Sequence, residues 1–192
     1  MRVIAGELRG RRLQAPPGRD TRPTSDRVRE AVFALLGDVR GARVLDLFAG
    51  TGALGIEALS RGAHSAVFVE HDADAARVLA ANLAALGIAG DAVQVRRCDA
   101  LDALRDASAR QETYDLVFID PPYARARPTS QAPATPAAER WGPRLSANLP
   151  ALLSPGARVV VESDRRAPLE LALALERSRR YGDTAITIHR QQ

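Results

Sequence analysis

The amino-acid sequence predicts an α/β fold: a doubly wound, mostly parallel sheet that follows a short basic N-terminal extension and ends in a C-terminal antiparallel hairpin. Two patterns carry this prediction. From residue 42 onward, short apolar runs alternate with amphipathic helical segments, and near the end of the chain two segments of alternating polarity flank a Tyr-Gly-Asp turn. The length of 192 residues suits one domain with a sizeable core.

The first helix is predicted over residues 24–37. Thr24 or Ser25 supplies the cap, apolar side chains recur on one face, and Gly37 ends the segment. Residues 2–15, which precede it, have the pattern of a short hairpin.

The remaining elements follow from the alternation of β-branched runs with alanine-rich amphipathic segments. Strands are predicted over residues 43–48, 65–70, 92–97, 114–120 and 158–163. Helices are predicted over residues 53–62, 72–87, 100–107 and 138–153. Residues 124–138 are rich in Pro, Ala, Ser and Thr and predict a loop, and Pro155-Gly156 predicts a turn before the fifth strand.

The positive charge of the chain is concentrated at its N-terminus. All 27 Lys or Arg positions hold arginine, and residues 1–30 contain eight of them against four acidic residues, a net charge of +4. The whole chain also carries +4, so residues 31–192 sum to zero. A basic arm on a neutral domain is typical of a protein that binds a phosphate backbone, although a solvated tail would have the same composition. We therefore divide the chain into a basic N-terminal extension with its helix, residues 1–40, and a main domain, residues 41–192.

Composition argues against several other classes of protein. Cys98 is the single cysteine, and the three histidines lack metal-ligand spacing, so neither a disulfide framework nor a metal site is expected. No apolar run reaches the roughly eighteen residues of a membrane span, and the N-terminus lacks the apolar region of a signal peptide. The sequence predicts a cytoplasmic protein without membrane contact, taken as a monomer by default.

A glycine loop follows the first predicted strand, in DLFAGTGALG at residues 46–55. Gly50, Gly52 and Gly55, with Glu70 further on, match the pattern of a dinucleotide-binding loop. Asp46 argues against that ligand, because a carboxylate beside the loop would oppose a pyrophosphate. It suits S-adenosylmethionine, which brings an ammonium and a sulfonium, although Asp46 could also serve only to cap neighbouring backbone.

Two further acidic residues follow the next two strands. Glu70 ends the second strand, where a carboxylate can accept hydrogen bonds from the hydroxyls of a ribose. Asp99 follows the third strand and could pair with an adenine amino group, or it could only cap the helix that begins there. Both residues favour a cofactor that contains a nucleoside.

The motif Asp120-Pro121-Pro122-Tyr123 follows the fourth strand. Its two prolines remove backbone donors and stiffen the turn, which leaves the Asp120 carboxylate and the Pro121 carbonyl as fixed acceptors. Two acceptors are what the exocyclic amino group of a nucleobase requires, since they orient its nitrogen toward a methyl donor. Tyr123 can stack on a base turned out of its helix. An ordinary turn that ends the strand is the alternative interpretation.

These motifs, together with RVIAGELRGRRLQAP, TRPTSDRVREAVFALL and RRYGDTAITIHR, resemble the bacterial 16S rRNA (guanine(966)-N2)-methyltransferase family. The resemblance implies a Rossmann-like class I methyltransferase that transfers a methyl group from S-adenosyl-L-methionine to a guanine amino group in the small ribosomal subunit or its precursor. It implies a catalytic turn of Asp120, Pro121, Pro122 and Tyr123. The residues implied to hold the cofactor are Asp46, Phe48, Ala49, Gly50, Thr51, Gly52, Glu70, His71, Asp99 and Ala100, with Thr21, Arg22 and Thr24 closing the pocket. Those implied to meet 16S rRNA are Arg2, Arg9, Arg11, Arg12 and Arg19.

Other functions remain open on sequence grounds. Adenine-N6 methylation of DNA uses a nearly identical turn, although 192 residues leave little room for a target-recognition region. Protein glutamine methyltransferases typically have Asn where this chain has Asp120. A dehydrogenase is disfavoured by Asp46, and a non-catalytic rRNA-binding assembly factor would not need both motifs intact.

Overall fold

The architecture comes from a computed structural model that describes residues 1–15, 26–122 and 137–192. Its helices are α1 (Asp26–Leu36), α2 (Ala53–Ser60), α3 (Ala73–Leu86), α4 (Ala100–Ala109) and α5 (Ala137–Asn148). Its strands are β1 (Arg43–Asp46), β2 (Ser65–Val69), β3 (Val93–Arg96), β4 (Tyr114–Ile119), β5 (Leu153–Asp164), β6 (Ala174–Tyr181) and β7 (Thr184–Arg190).

The seven described strands form one sheet in the order β3-β2-β1-β4-β5-β7-β6. The first five pair in parallel, while β7 runs antiparallel to both β5 and β6. The predicted α/β fold with a C-terminal antiparallel hairpin is thus confirmed. Strand order reverses between β1 and β4, and in open α/β sheets ligands bind at the carboxyl ends of the strands beside such a reversal.

A helix is present where residues 138–153 predict one, but its predicted end at residue 153 and the predicted start of the fifth strand at residue 158 are wrong. The helix ends at Asn148, a short 3-10 turn runs over Pro150–Leu152, and β5 begins at Leu153. Proline at 150 has no amide hydrogen to continue a helical ladder, and Leu153 pairs with Tyr114 of β4. An irregularity in that pairing accommodates Pro155-Gly156 inside the strand, so the two residues do not separate two elements.

Two apolar clusters cover the two faces of the sheet. One contains Val44, Phe118 and Ile186 from the sheet, with residues of α1, α2 and α3 packed against them. The other contains Leu45 and Val161 from the sheet, with residues of α4 and α5. Alternate residues of each strand enter opposite clusters, as expected for a sheet buried on both sides. Among the described residues, no helix is both long enough and apolar enough to cross a bilayer.

The N-terminal segment, residues 1–15, packs against the first of these clusters. Val3 and Leu13 are buried in it. The segment forms the predicted short hairpin, with a bridge between Arg2 and Arg12 and backbone bonds from the amides of Val3 and Leu13 to the carbonyls of Arg11 and Met1, both at 3.0 Å. The carboxylate of Glu57 on α2 accepts hydrogen bonds from the backbone amides of Ile4 (2.7 Å) and Ala5 (3.0 Å). This carboxylate is fully buried, so it fixes the segment to α2 with charge-assisted bonds.

Candidate active site

Acidic residues end or follow four neighbouring strands at one edge of the sheet. Asp46 ends β1 and pairs in register with Phe68 of β2 and Phe118 of β4. Glu70 and Asp120 therefore stand two residues beyond that level on the adjacent strands, and Asp99 lies past the end of β3. The structure brings together the acidic residues that the sequence predicts at the site.

Asp46 is almost completely buried, with 2 % of its surface exposed. Its Oδ2 accepts a hydrogen bond from the backbone amide of Gly55 at 3.1 Å, across the glycine loop. Burial raises the pKa of Asp46 to about 7; the bond from Gly55 opposes this rise, and the charge of Glu70 adds to it. A carboxylate that has lost its hydration and gained one amide donor is suited to a cationic ligand.

The glycine loop is shaped by positive backbone angles and by close packing. Gly52 has φ of +83°, and a Cβ there would lie 2.3 Å from a methyl group of Leu79 on α3. Gly55 meets the ring of Phe68 on β2, where an added Cβ would lie 2.3 Å from the ring. Only glycine meets both demands at position 52. The loop is therefore held close to β2 and α3.

Glu70 fixes the other side of the loop. Its Oε2 accepts a hydrogen bond from the amide of Gly50 at 2.8 Å, and its Oε1 accepts one from the amide of Asp72 at 2.7 Å. A carboxylate has about four acceptor sites, so two backbone bonds leave capacity for hydroxyl donors. The side chain is thus preoriented at the edge where a ribose is predicted to bind.

Asp99 caps the helix that follows it, which is the alternative role that the sequence allowed. Its Oδ1 accepts a hydrogen bond from the amide of Leu101 at 2.9 Å and so caps α4. Pairing with an adenine stays a prediction for this residue. Of the two neighbours named with the cofactor residues, Ala100 is buried and His71 is exposed.

The Asp-Pro-Pro turn leaves β4 beside the end of β1. The amide of Leu47 donates to the carbonyl of Phe118 at 3.0 Å, which ties the two strand ends together. Asp120 is half-buried, Pro121 is buried and Pro122 is exposed. The turn therefore lies at the strand-order reversal, with its acidic side chain partly accessible.

An aromatic contact that the sequence analysis missed borders the glycine loop. The ring of Phe48, just after β1, meets the edge of the Trp141 ring on α5, with 4.9 Å between ring centroids. Trp141 is the single tryptophan in a chain with 4 % aromatic residues, and this rarity was an available signal. The contact fixes α5 against the residues that follow the carboxyl end of β1.

A second missed residue, Asn82 on α3, joins the N-terminal segment to the glycine loop. Its Oδ1 accepts from the amide of Gln14 at 2.8 Å, and its Nδ2 donates to the carbonyls of Gln14 (3.2 Å) and Thr51 (3.0 Å). The side chain is 1 % exposed, so these bonds are shielded from water. An asparagine in an alanine-rich helix gave no local signal of this role.

The arginines predicted to meet RNA are exposed where the structure describes them. Arg2 lies 3.7 Å from Asp26, and Arg11 donates to the carbonyl of Ala85 at 2.5 Å. Arg9 and Arg12 are exposed on the same segment. Five predicted site residues lie outside the described residues: Arg19, Thr21, Arg22, Thr24 and Tyr123. So do residues 124–136 of the predicted loop.

Several named proteins are similar to this chain in sequence. A Bacillus subtilis protein named "Putative rRNA methyltransferase YlbH" is 38% identical over the full length of both chains. "Ribosomal RNA small subunit methyltransferase D" of Escherichia coli is 43% identical over 126 residues, 65% of this chain and 61% of that protein. Its namesake in Haemophilus influenzae is 35% identical over 88% of this chain and 81% of its own length.

Solved structures agree with the sequence relatives. "Putative methyltransferase yhhF" of Escherichia coli superimposes with a TM-score of 0.76 at 33% identity, covering 100% of this chain and 98% of its own. An RNA methyltransferase from Salinibacter ruber, solved with S-adenosyl-L-homocysteine, has the same fold, with a TM-score of 0.61 at 24% identity over 88% of this chain and 92% of its own. The model of the family described as "Conserved hypothetical protein 95" matches residues 1–190. The chain belongs to that family, and its fold is that of the class I methyltransferases.

Proposed function

We propose that this protein transfers a methyl group from S-adenosylmethionine to the exocyclic N2 amine of a guanine in 16S rRNA. The observation that carries the proposal is the position of the Asp120-Pro121-Pro122 turn. It leaves β4 next to the end of β1, where the buried Asp46 and the glycine loop lie. The residues that we assign to the cofactor and those that we assign to the base are therefore neighbours at one edge of the sheet. The relatives named as small-subunit rRNA methyltransferases support the choice of RNA.

The cofactor is S-adenosylmethionine, and the residues at the sheet edge fit it. Asp46 offers a buried carboxylate to a cationic group. Its pKa is raised because burial removes water from the carboxylate. Glu70 offers acceptors to hydroxyl groups, and the glycines at positions 50 and 52 allow a ligand to approach the backbone closely. When bound, the cofactor supplies a methyl group activated by its attachment to a sulfonium.

The chain's own residues would orient the nitrogen that receives this methyl group. Asp120 and the carbonyl of Pro121 would accept hydrogen bonds from the two N–H groups of the guanine amine. The amine lone pair is delocalised into the base, and two acceptors favour the pyramidal nitrogen that attack requires. Tyr123 would stack on the base, and the exposed arginines of residues 1–15 would contact phosphates.

The experiment is transfer of labelled methyl from S-adenosylmethionine to small ribosomal subunits that lack the modification. Naked 16S rRNA and duplex DNA are assayed in parallel, and the labelled nucleoside is identified. We expect N2-methylguanosine from the rRNA. N6-methyladenine in DNA would replace the substrate assignment with the adenine alternative, and cofactor binding without transfer to any substrate would favour a non-catalytic assembly factor.

The catalytic role of the turn is tested with Asp120→Ala. We expect loss of transfer by at least about a hundredfold, with cofactor affinity within about threefold of the parent, because Asp120 is assigned to the base. Asp74→Ala is the matched control, since Asp74 is an exposed acid paired with Arg77 on α3. Loss of cofactor binding together with transfer would show that Asp120 has a structural role instead.

A further inference from the structure

The edge strand β6 is basic and exposed on both of its faces. Its sequence is ALERSRRY, and every residue from Ala174 to Arg180 is exposed. Three of these eight residues are arginine and one is glutamate. Arg177 lies 3.6 Å from the neighbouring Glu176, with about half of its side chain exposed, and a guanidinium nitrogen of Arg179 donates to the carbonyl of Ser178 at 2.9 Å.

Two of these arginines point to the face of the sheet that carries the N-terminal segment. In the antiparallel pairing of β6 with β7, Arg177 lies opposite Ile188 and Arg179 lies opposite Ile186. Directly opposite residues project from the same face. Ile186 and Ile188 belong to the cluster that buries Val3 and Leu13 of the N-terminal segment. Basic side chains of β6 and of residues 1–15 thus belong to the same side of the domain.

The register of the strands places Arg179 level with the Asp120-Pro121-Pro122 turn. Ile119 of β4 pairs with Val161 of β5, so Asp120 is level with Glu162. Glu162 pairs with Ile186, and Ile186 pairs with Arg179. Neighbouring strands lie about 4.8 Å apart, so three steps put the β6 backbone about 14 Å from the turn. That distance is within the reach of an RNA strand whose target base occupies the turn.

We propose that β6 is a second RNA-contacting surface, on which Arg177 and Arg179 bind phosphates that flank the target nucleotide, while Arg180 on the opposite face of the strand adds to the local positive charge. This inference rests on the proposed rRNA substrate. Charge complementarity favours a nucleic acid as the occupant, because two exposed guanidinium groups on one face of a short strand can each bind a phosphate. The position of β6 favours this role, since an RNA bound by both the N-terminal segment and β6 would pass over the Asp120-Pro121-Pro122 turn. Charges on an edge strand also discourage pairing with another copy of the chain.

The test uses Arg177→Ala/Arg179→Ala/Arg180→Ala in the full chain. The control, Arg77→Ala/Arg105→Ala/Arg110→Ala, removes the same charge from exposed positions on and after α3 and α4. Small subunits and 16S rRNA serve as substrates, and both KM and the salt dependence of binding are measured. Each lost phosphate contact lowers the slope of log Kd against log salt by about 0.7–0.9, so loss of the contacts of Arg177 and Arg179 should lower that slope by about 1.5.

We expect the KM of the β6 variant for the rRNA substrate to rise at least tenfold, with kcat and the Kd for S-adenosylmethionine unchanged. The control variant should keep the parent values. Equal KM and salt slope in the β6 variant and the control would overturn the proposal, as would a parent dimer that dissociates when β6 is changed. If the parent fails to methylate any rRNA substrate, the proposed function itself fails, and that outcome is seen before either variant is compared.

Discussion

Asn82 is the residue whose replacement tests most directly how the N-terminal segment supports the glycine loop. The substitution Asn82→Asp keeps the shape of the side chain and its acceptor for the amide of Gln14. It removes both donors, so a carboxylate oxygen faces the carbonyls of Gln14 and Thr51 at about the 3.2 and 3.0 Å separations that the amide occupies. We expect the loop to lose its anchor and the segment to loosen.

The size of the effect follows from the lost bonds and from burial. Two hydrogen bonds are worth about 1–3 kcal/mol together, and a carboxylate facing two carbonyls in a site that is 1 % exposed adds to the cost. We expect a loss of about 3 kcal/mol in the free energy of unfolding, which for a domain of this size lowers Tm by about 6–12 °C. The Kd for S-adenosylmethionine should rise about tenfold, which corresponds to 1.4 kcal/mol.

Thermal unfolding and calorimetric titration with S-adenosylmethionine measure the two quantities. Gln14→Ala is the control, because Asn82 bonds only to the backbone atoms of Gln14 and these remain in place. Parent-like cofactor affinity in Asn82→Asp would refute the inference that Asn82 positions the loop. Equal losses in Gln14→Ala would show that the Gln14 side chain carries the effect instead.

Three further predictions concern the N-terminal segment and Asp46. Gly6→Ala should lower Tm far more than Gly10→Ala in thermal unfolding: both glycines have φ of +82°, but only at Gly6 would the new Cβ lie 1.7 Å from the Ser60 carbonyl oxygen. Glu57→Ala should cost about 3–5 kcal/mol in denaturant unfolding, because it leaves the buried Arg29 without this carboxylate; a cost under about 1 kcal/mol would contradict that role. Burial raises the pKa of Asp46 from 3.8 to about 7, so the folded state binds a proton here more tightly than the unfolded state does. The stability that this proton contributes is fully present below about pH 4 and is lost as the pH rises through 7, which pH-dependent denaturant unfolding measures. Calorimetric affinity for the cationic cofactor should instead increase through pH 7, and in Asp46→Asn this dependence should disappear.

The strands and the acidic edge of the sheet were predictable because both depend on local patterns. Buried parallel strands read as apolar runs, and their order along the chain places Asp46, Glu70, Asp99 and Asp120 at the same edge. The alternative roles for Asp99 could not be separated from sequence, because a cap and a ligand-binding carboxylate occupy the same position at the start of a helix. The misjudged helix end at Asn148 depended on pairing between Leu153 and Tyr114, which are distant in the sequence.

Buried polar residues that hold the N-terminal segment were not revealed by sequence patterns. Arg29, Glu57 and Asn82 lie on helices where a polar residue normally faces solvent, yet all three are buried. Each forms a hydrogen bond with a backbone group of residues 1–15: Arg29 donates to the carbonyl of Arg2, Glu57 accepts from Ile4 and Ala5, and Asn82 bonds to Gln14. Such partners appear only when the N-terminal segment is docked in three dimensions.

The bonds from Ile4 and Ala5 to Glu57 impose an order on folding during translation. Their partner carboxylate lies 53 and 52 residues downstream, so the segment is synthesised before its docking site exists. Contacts of this separation form late, because a long loop must close before they contribute. The basic segment is thus made early and docked late, and the apolar side chains that docking buries, Val3 and Leu13, stay accessible until α2 has formed and packed on the sheet.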